Sequence, residues 1–67
     1  MTGTINSLRV MKEIVDNPGC STKDIARNVA ISERSVKRYI DTLNVAGAII
    51  EFRSKGWYCE VPIWDLL

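Results

Sequence analysis

Long cationic side chains are concentrated in the segment ISERSVKRYIDTL, which spans residues 31–43. Arg34, Lys37 and Arg38 lie close together in it, near the carboxylate of Glu33. A guanidinium group can pair bidentately with the O6 and N7 atoms of guanine or with a phosphate, and a carboxylate can accept a hydrogen bond from the amino group of cytosine. The chemistry that these side chains offer is therefore the recognition of base edges and phosphates.

The sequence offers little for catalysis or for metal binding. It contains no histidine, the residue whose unperturbed pKa best suits acid and base catalysis near neutral pH. Cys20 and Cys59 are its only cysteines, which are too few for a structural zinc site. We interpret them as small apolar side chains, while a disulfide or redox role stays open. We therefore predict a protein that is not an enzyme, with no cofactor and no bound metal.

Length and charge limit the possible classes of protein further. The 67 residues, of which 46% are hydrophobic, predict one small globular domain over residues 1–67. No apolar run approaches the roughly 20 residues that span a bilayer, and no secretory signal pattern is visible, so we expect a cytoplasmic protein without a membrane partner. The net charge is only +1, but residues 23–55 carry seven Lys and Arg against four Asp and Glu. A basic middle of the chain is compatible with nucleic acid binding.

Three helices must position the cationic segment. The first is predicted over residues 5–16, with Thr4 as its N-cap and the Pro18-Gly19 pair as its stop. Its aliphatic side chains at helical spacing predict a core-facing stripe of Leu8, Met11 and Val15, with Ile5 and Ile14 beside it.

The second helix is predicted over residues 22–29, because Ser21 and Asp24 have the types and spacing of a capping box. Only a few residues separate it from the next helical pattern, so the two helices must meet at a steep angle.

The third helix is predicted over residues 33–46, with Ser32 as its N-cap and Gly47 as its stop. Its apolar side chains fall on one side: Val36, Ile40 and Leu43. The opposite side carries polar groups: Arg34, Arg38 and Asp41, flanked by Lys37, Ser35 and Thr42. We expect this polar side to face outward, ready for a partner.

Beyond Gly47 the pattern changes from helical to alternating. It predicts a two-stranded hairpin over residues 48–61, with Ser54-Lys55-Gly56 as its turn and its apolar face against the helices. The apolar tail, residues 62–67, has two open interpretations: a contact surface for a second copy or another protein, or a segment that folds back over the small core.

Two helices joined by a tight turn, the second of them cationic near its start, suit the major groove of DNA. The candidate DNA-binding side chains lie in the third helix, at the start of the second and at the hairpin turn: Ser32, Glu33, Arg34, Ser35, Lys37, Arg38, Tyr39, Thr22, Lys23, Arg53 and Lys55. The alternative for the third helix is an ordinary solvent-exposed face. For Tyr39 it is half-buried packing, and for Arg53 and Lys55 it is a charged turn that discourages strand pairing.

Several of these segments match a known family. D-I-A (24–26), I-S-E-R-S-V-K-R-Y-I (31–40), L-N-V-A-G-A-I-I (43–50) and K-G-W-Y (55–58) resemble the winged helix-turn-helix domain at the N-terminus of the bifunctional biotin repressor and biotin ligase, and of related bacterial transcription regulators. The resemblance implies that the helix carrying residues 33–43 enters the major groove and that the hairpin, the wing, contacts the flanking backbone.

The chain departs from that family at Ala30, where a glycine is usual. If the turn needs a positive φ at this position, the alanine carries strain of the order of 1 kcal/mol or shifts the turn. Other family members also continue into an effector or enzymatic domain beyond the point where residue 67 ends this sequence.

The predicted fold class is α+β, mainly α: a three-helix winged helix-turn-helix with a C-terminal two-stranded hairpin. We expect a sequence-specific regulator of transcription that binds double-stranded DNA, acts as a repressor and as a homodimer, and takes no small-molecule effector within this chain. Two alternatives stay open, namely an architectural DNA-bending protein of excisionase type and a winged helix used for contact with another protein.

Overall fold

The computed structural model describes the backbone of residues 2–66 and the side chains of residues 5–66. Its elements follow one another as α1 (Thr2–Asp16), α2 (Thr22–Val29), α3 (Glu33–Val45), β1 (Ile49–Arg53) and β2 (Gly56–Val61), with a final 3-10 turn (Ile63–Leu66). The two strands pair antiparallel. Three helices followed by a hairpin confirm the predicted mainly helical α+β class.

Helix α1 differs from its prediction at its start and in its buried face. It begins at Thr2, so the prediction of Thr4 as N-cap was wrong. Val10, Met11 and Ile14 are fully buried. The other aliphatic residues of the predicted stripe are exposed: Ile5, Leu8 and Val15.

The buried face of α1 was mispredicted because α1 carries aliphatic side chains on more than one of its sides. Two helical stripes share Met11, one through Leu8 and Val15 and the other through Val10 and Ile14, and they differ by a rotation of about 100°. Spacing alone cannot choose between them. Packing against α2, α3 and β2 selects the second stripe.

The turn between α2 and α3 has the predicted caps. Ser21 and Asp24 form the capping box, since the Asp24 amide donates to Ser21 Oγ at 3.1 Å and the Ser21 amide to the Asp24 carboxylate at 3.5 Å. Ser32 Oγ accepts from the amide of Ser35 at 3.1 Å and caps α3. Ala30 has φ 62° and ψ 46°, the left-handed conformation, so the expected strain is present.

Replacing Ala30 with glycine is therefore expected to stabilise the fold by about 0.5 to 1 kcal/mol. Relief of the left-handed strain outweighs the larger backbone entropy that glycine gives to the unfolded chain. Urea unfolding followed by circular dichroism measures the difference. Ala46→Gly is the matched control, because Ala46 has a right-handed φ of −76° and gains nothing from glycine. Equal effects of the two substitutions would contradict this account.

The core lies between the three helices and the base of the hairpin. From α3 it takes the three residues that the helical spacing predicts, Val36, Ile40 and Leu43. The amide of the Asn44 side chain bonds both backbone groups of Ile50, donating to its carbonyl at 3.2 Å and accepting from its N–H at 2.9 Å. The start of the hairpin is thereby fixed to the end of α3.

The hairpin turns through Ser54 and Lys55, which have φ values of 51° and 64°. Positive φ at both positions is the geometry of a two-residue type I′ turn, whose twist matches that of the strands. Gly56 belongs to β2, not to the turn.

Position 56 requires a glycine because the hairpin lies very close to the loop after α1. A Cβ on Gly56 would lie 2.7 Å from the Cα of Gly19 and closer still to its carbonyl group. Next to this contact, the Trp57 amide donates to the Cys20 carbonyl at 2.9 Å, and the Gly19 amide donates to the Trp57 carbonyl at 2.8 Å. These bonds hold the hairpin against the helical part of the molecule.

The tail folds back, which was one of its two open interpretations. Ile63 packs against the core, and its amide donates to the sulfur of Met11 at 3.4 Å. Leu66 lies over Gly47, where a Cβ would come within 2.9 Å of its Cδ1 atom. Trp64 and Leu66 nevertheless remain exposed, and Leu67 lies outside the described residues. In the part of the chain described here, no helix combines the length and apolarity needed to cross a membrane.

Candidate nucleic-acid interface

Three exposed cations lie on the side of α3 away from the core. Arg34, Lys37 and Arg38 are all exposed, and buried Val36 and Ile40 hold the helix from behind. Within residues 5–66, none of the three makes an ion pair or a hydrogen bond to another side chain. Their donors are therefore available for phosphates or base edges.

The hydroxyl groups at the start of α3 are only partly free. Ser32 Oγ accepts from the Ser35 amide and donates to Ser35 Oγ at 2.9 Å, so Ser32 serves mainly as the helix cap. The proton of the half-buried Ser35 hydroxyl remains available to a ligand. Glu33 is exposed in the first turn, where its negative charge is favourable to the helix dipole.

Tyr39 lies on the α1 side of α3 and not on its outward face. The ring packs against the core, and its hydroxyl accepts a long hydrogen bond of 3.4 Å from the side chain of Asn6. This is the half-buried packing considered as its alternative. The primary contact of Tyr39 is therefore structural.

Of the two candidates at the start of α2, one makes an internal contact and the other is free. Thr22 is half-buried, and its Oγ1 atom accepts from the indole N–H of Trp57 at 2.9 Å, which links α2 to the hairpin. Lys23 is exposed, and among the described residues it has no carboxylate partner. Lys23 is therefore the free cation at this end of α2.

The two candidates of the hairpin also differ in whether their charge is already paired. The guanidinium of Arg53 lies 3.4 Å from a carboxylate oxygen of Glu60 and stacks over the ring of Tyr58, with 4.9 Å between the guanidinium carbon and the ring centre. Lys55, at the tip of the turn, is exposed and makes no ion pair in the described part of the chain. Of these two cations, only Lys55 is unpaired within the described residues.

A cleft that the sequence did not predict lies between α3 and the wing. Its volume is about 350 Å³, and its lining residues come from α2, α3 and both strands: Thr22, Lys37, Asp41, Phe52 and Trp57. The rings of Phe52 and Trp57 meet edge to face, with centres 5.0 Å apart and planes at 65°. Phe52 lies on the apolar face of the wing and is still 57% exposed. The alternating pattern assigned Phe52 to this face but gave no sign that the cleft beside it is open.

The two cysteines do not contribute to this surface. Burial raises the pKa of the Cys20 thiol, and burial likewise raises the pKa of the Cys59 thiol. Both are free thiols. A raised pKa keeps them protonated at neutral pH and therefore poorly nucleophilic.

Comparison with protein families gives one match. Residues 4–50 match the family described as winged helix-turn-helix DNA-binding, and this span contains α2, α3 and nearly all of α1. The chain belongs to this family. The comparison with curated proteins and the comparison with solved structures gave no match.

The matched family is DNA-binding, so DNA is the partner that membership of this family gives the chain. The match ends at residue 50, before most of the wing. The match identifies the winged helix-turn-helix family without distinguishing its subgroups, so the likeness to the biotin repressor group stays a prediction.

Proposed function

We propose that this protein is a sequence-specific regulator of transcription in which α3 enters the major groove of DNA. The observation that carries the proposal is the outward face of α3, where Arg34, Lys37 and Arg38 are exposed and unpaired. A helix of this diameter fits the major groove, and guanidinium groups on its first turns pair with guanine edges. The protein acts by binding and not by catalysis.

The free lysines of α2 and of the wing supply contacts to the DNA backbone. Lys23 at the start of α2 and Lys55 at the tip of the wing are exposed and unpaired among the described residues. Such contacts orient the protein on the duplex without distinguishing one sequence from another.

We further propose that two copies bind a two-fold symmetric site and repress transcription. One module of this size contacts only a few base pairs, so useful specificity requires a second copy. Exposed apolar side chains outside the cationic face support association: Ile5, Leu8, Trp64 and Leu66. Repression by occupation of a promoter in the cytoplasm requires no chemistry beyond DNA binding.

Selection from random duplex DNA tests the function. We expect enrichment of one motif with two-fold symmetry, and sedimentation of the complex should give two protein chains per duplex. An asymmetric motif with one chain bound would overturn the dimer and leave the specific regulator intact. Failure to bind any duplex in a salt-dependent way would overturn DNA recognition and favour a protein-contact role.

Replacing Lys55 with alanine should weaken binding by a similar factor on the selected motif and on unrelated DNA. Loss of one phosphate contact should also reduce the slope of log affinity against log salt concentration by about 1. Fluorescence anisotropy at several salt concentrations measures both quantities. Lys12→Ala is the matched control, because Lys12 carries the same charge on α1, where it pairs with Asp16 at 2.8 Å. A loss confined to the selected motif would assign Lys55 to base recognition instead.

A further inference from the structure

The cleft between α3 and the wing combines an apolar wall with two charged groups at its rim. Phe52 and Trp57 form the wall, and Lys37 and Asp41 come from α3. The indole N–H of Trp57 donates a hydrogen bond of 2.9 Å to Thr22 Oγ1, and this bond fixes the orientation of the indole ring. The apolar side chain of Phe52 faces the helices, yet more than half of it remains exposed. A small apolar group from outside can therefore fill the space beside its ring.

The cleft is continuous with the proposed DNA-binding face. Lys37 and Asp41 are one helical turn apart on the outward side of α3, which also carries Arg34 and Arg38. A duplex that receives α3 in its major groove therefore passes the mouth of the cleft.

The charges at the rim indicate which part of a duplex fits. Lys37 attracts a phosphate and Asp41 repels it, so the two charges together give the sugar-phosphate backbone no advantage as an occupant. A base edge suits both charges, because Lys37 donates and Asp41 accepts hydrogen bonds. In the major groove of unmodified DNA, the apolar group on a base edge is the C5-methyl of thymine.

We propose that this cleft receives the methyl group of a thymine in the major groove, with Phe52 and Trp57 packed against it. A thymine·adenine pair presents a methyl, an acceptor at thymine O4 and a donor at adenine N6. These three groups match the aromatic wall, Lys37 and Asp41. The inference rests on the proposed function and adds a base preference that depends on the wing.

The test replaces thymine by deoxyuridine in the duplex recovered by selection, which removes only methyl groups. We expect the wild-type protein to bind the uracil duplex about fourfold more weakly, the loss for one buried methyl. Phe52→Ala should bind both duplexes equally. Val45→Ala is the matched control, because Val45 is an apolar residue of α3 that is 90% exposed and does not line the cleft. It should keep the fourfold difference.

Thermal unfolding by circular dichroism checks that Phe52→Ala is folded. A second measurement needs no variant: in the wild-type complex, nuclear Overhauser effects should connect a thymine methyl with ring protons of Phe52 or Trp57. Equal wild-type affinity for both duplexes would overturn the cleft assignment while DNA binding stands. Loss of the difference in Val45→Ala but not in Phe52→Ala would also overturn it. Absence of binding to either duplex would instead overturn the proposed function.

Discussion

Replacing Arg34 with alanine is expected to lower affinity for the selected duplex by about 10- to 100-fold and to relax the preference at one or two base pairs. Arg34 is exposed in the first turns of α3, and no side chain of the described region competes for its guanidinium. A bidentate contact to a guanine edge contributes about 1 to 3 kcal/mol of discrimination. Competition binding with duplexes changed at each position measures the loss and locates it.

Two further variants separate base recognition from charge. Arg34→Lys keeps the charge but loses the planar pair of donors, so it should recover affinity for unrelated DNA without recovering the preference. Arg27→Ala removes the same charge from α2, where Arg27 is exposed and lies 4.0 Å from Asp24. It should leave the preference unchanged. If Arg34→Ala reduced binding equally on every sequence, Arg34 would be a phosphate contact and not a base contact.

Replacing Gly56 with alanine should lower the free energy of unfolding by about 2 to 3 kcal/mol. The added Cβ would collide with the backbone of Gly19, which flexible side-chain movement cannot relieve. Moving the strand away would break the two backbone bonds that join Trp57 to residues 19–20. Urea unfolding followed by circular dichroism measures the change.

Glu60→Ala is the control for the wing itself. Glu60 is exposed on β2 and pairs with Arg53, so its loss should cost less than about 1 kcal/mol. A Gly56→Ala protein within about 0.5 kcal/mol of the wild type would show that the hairpin is not held by its contact with Gly19.

The sequence predicted α3 well because its two sides differ sharply. Val36, Ile40 and Leu43 are separated from the charged residues by half a turn, and one helical period accounts for both sides. In α1 the same method chose the wrong stripe, because aliphatic residues lie on more than one side. Periodicity decides orientation only where the polar and apolar residues are segregated.

The candidate surface was less predictable than the fold. From the sequence, Arg53 and Lys55 are equal candidates for a DNA contact, yet the pairing of Arg53 with Glu60 depends on cross-strand neighbours that the spacing does not reveal. Thr22 and Ser32 were chosen as polar groups at helix starts, and their hydroxyls are used for internal bonds. The cleft beside Phe52 depends on the distance between the wing and α3, which no local pattern encodes.

The central claim is that the outward face of α3 meets the bases of a duplex, and amide chemical-shift mapping with the selected DNA tests it most directly. We predict that the largest shift changes fall on residues 32–41 and at the tip of the wing near Lys55, with small changes along α1. Changes concentrated around Trp64 and the tail, with α3 unaffected, would contradict it.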